Sequence, residues 1–117
     1  MRLFDIPTYE VRAYASPRDF LRTLNSDEPE CLVVDLQMPA MTGLELLAHL
    51  HQIGRPIPTI IMTGFDKPNL QQYCLDAGAA AYFLKPVYRQ ALIAAIDGAI
   101  RDGAVIKRRN GIETRSE

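Results

Sequence analysis

Apolar runs and alternating stretches recur along this chain of 117 residues and predict its strands. A continuous apolar run is typical of a strand that helices cover on both faces, and alternation of polar and apolar residues is typical of a strand with one exposed face. On this basis we predict four strands, at residues 10–15 (EVRAYA), 31–36 (CLVVDL), 58–64 (PTIIMTG) and 80–85 (AAYFLK).

Helix signals lie between these strands. Ser16 and Pro17 suit the cap and first turn of a helix that we expect to reach about Asn25. Thr42 and Glu45 form a capping box at the start of a second helix. Two further helices are predicted, at residues 69–79 (NLQQYCLDAGA) and 89–100 (RQALIAAIDGAI).

Strands that alternate with helices predict parallel pairing through right-handed crossovers, and therefore a doubly wound α/β sheet. In such sheets the reaction site lies beyond the carboxyl ends of the strands. The last three predicted strands end at Asp35, Thr63 and Lys85. Each of these residues alone is more often an ordinary turn or loop residue. Together they offer a nucleophilic carboxylate, a hydroxyl donor and a positive charge, which suits phosphoryl transfer to Asp35.

Composition limits the classes of function. Hydrophobic residues make up 48% of the chain, enough for a globular core, and the net charge of −1 gives no basic excess for nucleic acid or anionic membranes. No apolar run approaches the roughly 18 residues of a membrane span. Cys31 and Cys74 form no paired motif, so we expect a reduced, cytoplasmic protein. We assign residues 1–105 to one domain and 106–117 to a polar C-terminal tail or linker.

Three segments, VVDLQMPAMTGLELL, PTIIMTG and AGAAAYFLKP, together resemble the receiver (CheY-like) domain of two-component response regulators, particularly receivers of LuxR-type regulators. The resemblance covers most of the chain and implies a flavodoxin-like fold. It implies that Asp35 accepts a phosphoryl group from a sensor histidine kinase and that Thr63 and Lys85 bind this group. It also implies that Tyr82 is the switch aromatic and that the peptide bond before Pro86 is cis.

One part of the family pattern is missing from this sequence. Receivers begin with a strand that ends in two acidic residues, which help to hold Mg²⁺, and these positions would precede Met1. The resemblance therefore implies a truncated receiver that lacks the first strand and most of the first helix. Mg²⁺ is expected for the family, but Asp35 and the backbone carbonyl of Gln37 would form an incomplete metal site. We therefore expect weak phosphorylation or none.

The missing strand would be central in the sheet and would leave an open edge beside residues 31–36. We consider three outcomes: that the segment 10–15 pairs at this edge, that two chains pair their strands in a homodimer, or that the sequence is a shortened version of a longer protein.

The leading hypothesis is a receiver domain that is not an enzyme. A second is a pseudo-receiver that acts through protein contacts without phosphorylation. A third is a small aspartyl-phosphate phosphatase with Asp35 as nucleophile, which is disfavoured because Gln37 stands where that class generally has an acid. A metal site formed by His49 and His51 is a less favoured hypothesis still, since residues two apart on a helix do not face one another. By itself the chain is expected to bind neither nucleic acid nor membrane, although a DNA-binding output domain could follow it in a longer protein.

Overall fold

A three-stranded parallel sheet with helices packed on it forms the centre of the computed structural model, which describes residues 9–26, 28–36, 41–65 and 67–110. The strands lie in the order β1–β2–β3, so the predicted parallel α/β architecture is confirmed. The strands are β1 (Leu32–Asp35), β2 (Thr59–Thr63) and β3 (Ala81–Leu84). The helices are α1 (Pro17–Arg22), α2 (Gly43–Gln52), α3 (Leu70–Asp76) and α4 (Arg89–Asn110).

Strand β2 is central in the sheet, and all five of its residues are buried. Its register places Met62 opposite Asp35 of β1 and Thr63 opposite Leu84 of β3. The backbone N–H of Leu36 donates to Met62 O at 2.7 Å, which extends the β1–β2 pairing just past Asp35. The carboxyl ends of the three strands therefore meet at one edge.

Two apolar clusters cover the two faces of the sheet. The first includes Phe20, Val34 and Leu46, and receives α1 and α2. The second is built on Leu92 and Ile96 of α4. Because helices pack on both faces, the strands can be apolar throughout, as the sequence predicted.

The start of α2 is fixed closely against β1. Thr42 and Glu45 form the predicted capping box, with both hydrogen bonds present, at 3.1 and 2.8 Å. A Cβ at Gly43 would lie 2.9 Å from Val34 Cγ2 and 3.2 Å from Asp35 O. Gly43 therefore allows the helix to begin in contact with the end of β1 that carries Asp35.

The prediction of a strand at residues 10–15 is wrong. These residues are exposed, without regular structure, and separated from β1 by an open groove of about 710 Å³. An alternating pattern gives a strand only where another strand supplies backbone hydrogen bonds, and none of the described residues pairs with this segment. The first of the three outcomes considered for the open edge is therefore also wrong.

Two helix ends also differ from the sequence prediction. Helix α1 ends at Arg22 because residues 23–26 form turns, and does not reach Asn25. Helix α4 continues to Asn110, past the predicted end at residue 100. It runs through Gly98 and Gly103, because a glycine inside a helix costs only about 1 kcal/mol.

Candidate functional site

Asp35 lies at the carboxyl end of β1 and contacts Lys85. The carboxylate oxygen Oδ2 accepts a hydrogen bond from Lys85 Nζ and forms an ion pair with it. The side chains retain 32% (Asp35) and 43% (Lys85) of their accessible surface, so the pair can be reached from solvent. Two residues far apart in sequence thus place opposite charges together at the edge of the sheet.

Lys85 is positioned by the strand that precedes it. Its backbone N–H donates to Thr63 O at 2.8 Å, which continues the β2–β3 pairing one residue beyond the end of β3. The Lys85–Pro86 peptide bond is cis, as the resemblance implied. The side chain then extends across the edge toward Asp35 of the far strand β1.

Thr63 ends β2 between the other two groups. The residue is fully buried, and its hydroxyl oxygen accepts a hydrogen bond from the backbone N–H of Phe65 at 3.1 Å. This bond uses a lone pair and leaves the hydroxyl proton for donation elsewhere. The edge therefore carries the carboxylate, hydroxyl and ammonium that the strand ends predicted.

Two other predicted site residues lie near this edge, and a third is outside the described residues. Tyr82 in β3 is opposite Ile61 and packs, half-buried, against the first apolar cluster. Pro86 follows Lys85 through the cis bond. Gln37, whose carbonyl was assigned to the metal site, lies outside the described residues.

The described donor set fits Mg²⁺ poorly. Mg²⁺ prefers octahedral coordination by oxygen ligands that usually include one or two carboxylates. At the edge, Asp35 supplies one carboxylate, already paired with Lys85, and Thr63 supplies one hydroxyl. In the part of the chain that the structure describes, no three histidine, cysteine, aspartate or glutamate residues form a group that could hold a metal ion.

The sequence pattern did not indicate the groove beside β1 or the contacts of Tyr9 and Cys31, which line it. Tyr9 donates a hydrogen bond to Asp97 of α4, and this bond raises the pKa of the Tyr9 phenol to about 12. Burial raises the pKa of the Cys31 thiol to about 11, which keeps it protonated at neutral pH. Residues so distant in sequence carry no shared signal that would have indicated a common cavity.

Among the described residues, no helix is both long enough and apolar enough to cross a membrane.

The fold and the edge define an α/β protein with an accessible carboxylate–lysine pair at the ends of its parallel strands. A family model described as the response regulator receiver domain matches residues 1–97. The chain belongs to this family, whose members act in two-component signalling. Receiver domains interact with sensor kinases and typically use Mg²⁺, and response regulators are generally not enzymes.

Known proteins with similar sequences and structures agree with this assignment. The response regulator protein TodT of Pseudomonas putida is 32% identical over 91 residues, which cover 78% of this chain and 40% of TodT. A response regulator receiver domain protein from Clostridium thermocellum has a TM-score of 0.77 and 28% identity, and the match covers 89% of this chain and 84% of that one. The chain thus spans less than half of the length of TodT. The structural similarity to the Clostridium protein confirms the predicted flavodoxin-like fold.

The similarity includes regulators of the LuxR type. A DNA-binding response regulator of the LuxR family from Staphylococcus aureus has a TM-score of 0.64 and 28% identity, and the match covers 73% of this chain and 71% of that one.

Proposed function

We propose that this chain is a receiver in which Asp35 accepts a phosphoryl group from a sensor histidine kinase. The observation that carries the proposal is the contact of the Asp35 carboxylate with Lys85 at an accessible edge where Thr63 also ends its strand. A location in the cytoplasm and a DNA-binding output in a longer protein belong to the same proposal.

The three side chains have distinct parts in the proposed transfer. An Asp35 carboxylate oxygen forms a bond to phosphorus while the phosphorus–nitrogen bond of the kinase phosphohistidine breaks, and the electron pair returns to the imidazole nitrogen. Lys85 then exchanges its contact with the carboxylate for contact with a phosphoryl oxygen and offsets the added charge. Thr63 donates its hydroxyl proton to another phosphoryl oxygen.

We further propose that this transfer is weak. Phosphoryl transfer depends on positive charge around the transferred group. Lys85 is a basic group that contacts Asp35, and the oxygen ligands of the described residues at this edge fit Mg²⁺ poorly. We therefore expect slow and incomplete phosphorylation.

The test is incubation of the purified chain with Mg²⁺ and acetyl phosphate, followed by intact mass measurement. The expected result is a gain of one phosphoryl group that Asp35→Asn abolishes. Asp76→Asn, at the end of α3, is the matched control and should retain the gain. An unmodified mass in folded protein, or a gain that survives Asp35→Asn, contradicts the proposal.

A second candidate is a pseudo-receiver that acts through contacts alone, and exposed apolar side chains favour it. Tyr73 of α3, Leu84 of β3 and Tyr88 before α4 are 64%, 42% and 79% exposed. Such side chains on neighbouring elements are suited to a protein interface. This candidate predicts that partner binding is unchanged in Asp35→Asn and lost in Tyr88→Asp.

A further inference from the structure

Helix α2 and strand β1 approach each other at Gly43 more closely than a residue with a side chain would allow. A Cβ at this position would lie 2.9 Å from Val34 Cγ2 and 3.2 Å from Asp35 O. Carbon atoms in contact are normally about 3.5–4.0 Å apart, so an added side chain would overlap with β1. Gly43 is the first residue of α2 and its φ is not positive, so the close approach, and not the backbone conformation, requires glycine.

The groups on both sides of this contact are held in place. Val34 is buried in the first apolar cluster with Phe20 and Leu46, and a valine side chain has few alternative rotamers. Leu46 belongs to α2, so the same cluster also holds the helix. The backbone N–H of Leu36 donates to β2 at 2.7 Å, which holds the end of β1. An atom added at Gly43 would therefore strain the end of β1, the start of α2, or both.

The Asp35 carboxylate is sensitive to such a displacement. It contacts Lys85 Nζ across β2, so the contact depends on where the end of β1 lies relative to β3. A misplacement of about 1 Å at a reacting group can lower a rate about a hundredfold. A displacement of a few tenths of an ångström should therefore reduce phosphoryl transfer by a smaller but measurable factor.

We propose that Gly43 is a positioning residue for the acceptor: the absence of a side chain there lets Asp35 lie where it contacts Lys85 and receives the phosphoryl group. Gly43 acts only through the backbone and neighbours of Asp35. The effect on transfer rests on the proposed function, whereas the position of the carboxylate can be measured without a phosphoryl donor.

The first test observes the Asp35 carboxylate by NMR in the absence of a donor. In protein with ¹³C-labelled aspartate, the carboxyl carbon of Asp35 is identified by its loss in Asp35→Asn. We expect this signal to move in Gly43→Ala and to keep its wild-type position in Gly98→Ala. Gly98→Ala is the matched control, because a Cβ there would lie 3.7 Å from Arg101 Nη2, which is an ordinary contact distance.

The second test measures the rate of phosphorylation by acetyl phosphate with Mg²⁺, followed by intact mass. Gly43→Ala should lower the initial rate about tenfold, and Gly98→Ala should leave it within about twofold of the wild-type rate. Val34→Ala removes the atom nearest to the added methyl group. The double variant Gly43→Ala/Val34→Ala should therefore be at least threefold faster than Gly43→Ala, with the Asp35 signal closer to its wild-type position.

Val34→Ala alone separates position from stability. It removes buried methyl groups and should lower the free energy of unfolding, measured by urea denaturation, while the rate stays within about twofold of wild type. If Gly43→Ala does not fold, the double variant replaces it. Its remaining close contact with Asp35 O predicts an Asp35 signal displaced from that of Val34→Ala, and an unmoved signal overturns the proposal.

Other outcomes are equally decisive. An unchanged Asp35 signal and an unchanged rate in folded Gly43→Ala would overturn the proposal. Val34→Ala that slows transfer as much as Gly43→Ala would also overturn it, since loss of stability would then explain both. A wild type that gains no phosphoryl group, with an Asp35 signal that moves as expected, would overturn the proposed function and support the positioning of Asp35 by Gly43.

Discussion

At the residue scale, the Lys85 ammonium already compensates the Asp35 carboxylate before any phosphoryl group arrives. Both side chains are partly exposed, and pairs of this kind contribute about 1 kcal/mol or less to the free energy of unfolding. The pair is therefore expected to add little to the stability of the fold.

Substitution of Lys85 should have a small effect on stability and a large effect on phosphorylation. Lys85→Met should change the free energy of unfolding by about 1 kcal/mol or less, measured by urea denaturation. It should reduce the yield of phosphorylated protein from acetyl phosphate about tenfold, because the basic group that contacts Asp35 is lost.

Lys67→Met is the matched control, since Lys67 lies over the Phe65 ring and is exposed. Lys67→Met should keep the yield of phosphorylated protein within about twofold of the wild-type yield, because Lys67 has no part in charge compensation at Asp35. Equal yields from wild type and Lys85→Met would show that Lys85 has no part in the transfer.

The common edge of Asp35, Thr63 and Lys85 was predictable because each ends an apolar run, and parallel strands bring their carboxyl ends together. The contact between Asp35 and Lys85 was not predictable, because it depends on how the Lys85 side chain extends across β2. The place of Tyr82 against the core depends on the register with Ile61, which the sequence does not show.

At the element scale, the capping box of α2 supports the end of β1. The helix begins at Gly43, whose N–H donates at 3.1 Å to the backbone oxygen of Leu36, the residue that follows Asp35. The cap thus stabilises the helix and also helps to fix the position of the strand end that carries Asp35. Thr42 and Glu45 were predictable from four letters of sequence, because a capping box is a local arrangement.

Loss of the Thr42 cap should be measurable as loss of stability. Thr42→Ala should lower the free energy of unfolding by about 1 kcal/mol, because the N–H of Glu45 loses its acceptor. Thr42→Ser retains a hydroxyl, so its free energy of unfolding should remain within a few tenths of a kcal/mol of the wild-type value. Urea denaturation of the three proteins measures the difference, and equal losses in both variants would show that the methyl group, and not the hydrogen bond, stabilises this turn.

Strands β1, β2 and β3 were predictable to within a residue or two because each is a continuous apolar run between turns. The segment 10–15 has equally suitable residues, yet it forms no strand because no described neighbour pairs with it. Strand formation depends on a partner as much as on composition, and a partner distant in sequence leaves no local pattern.

At the scale of the whole molecule, the hydrogen bond from Tyr9 to Asp97 joins the start of the described chain to the last helix. Tyr9 also lines the groove beside β1. Contacts of this kind depend on how α4 packs against the sheet, so no sequence pattern near Tyr9 indicated it.

This contact predicts a stability change at high pH. The hydrogen bond to Asp97 raises the pKa of Tyr9 from its ordinary value of 10.0 to about 12, so the folded state favours the neutral phenol. Its contribution is fully present below pH 10 and is lost as the pH rises to 12. Relative to Tyr9→Phe, which does not titrate there, wild type should lose stability across this window, and the other tyrosines and the lysines cancel in the comparison. Urea denaturation of both proteins between pH 9 and about 12 measures the loss, and a constant difference would show that the phenol does not hold this segment to α4.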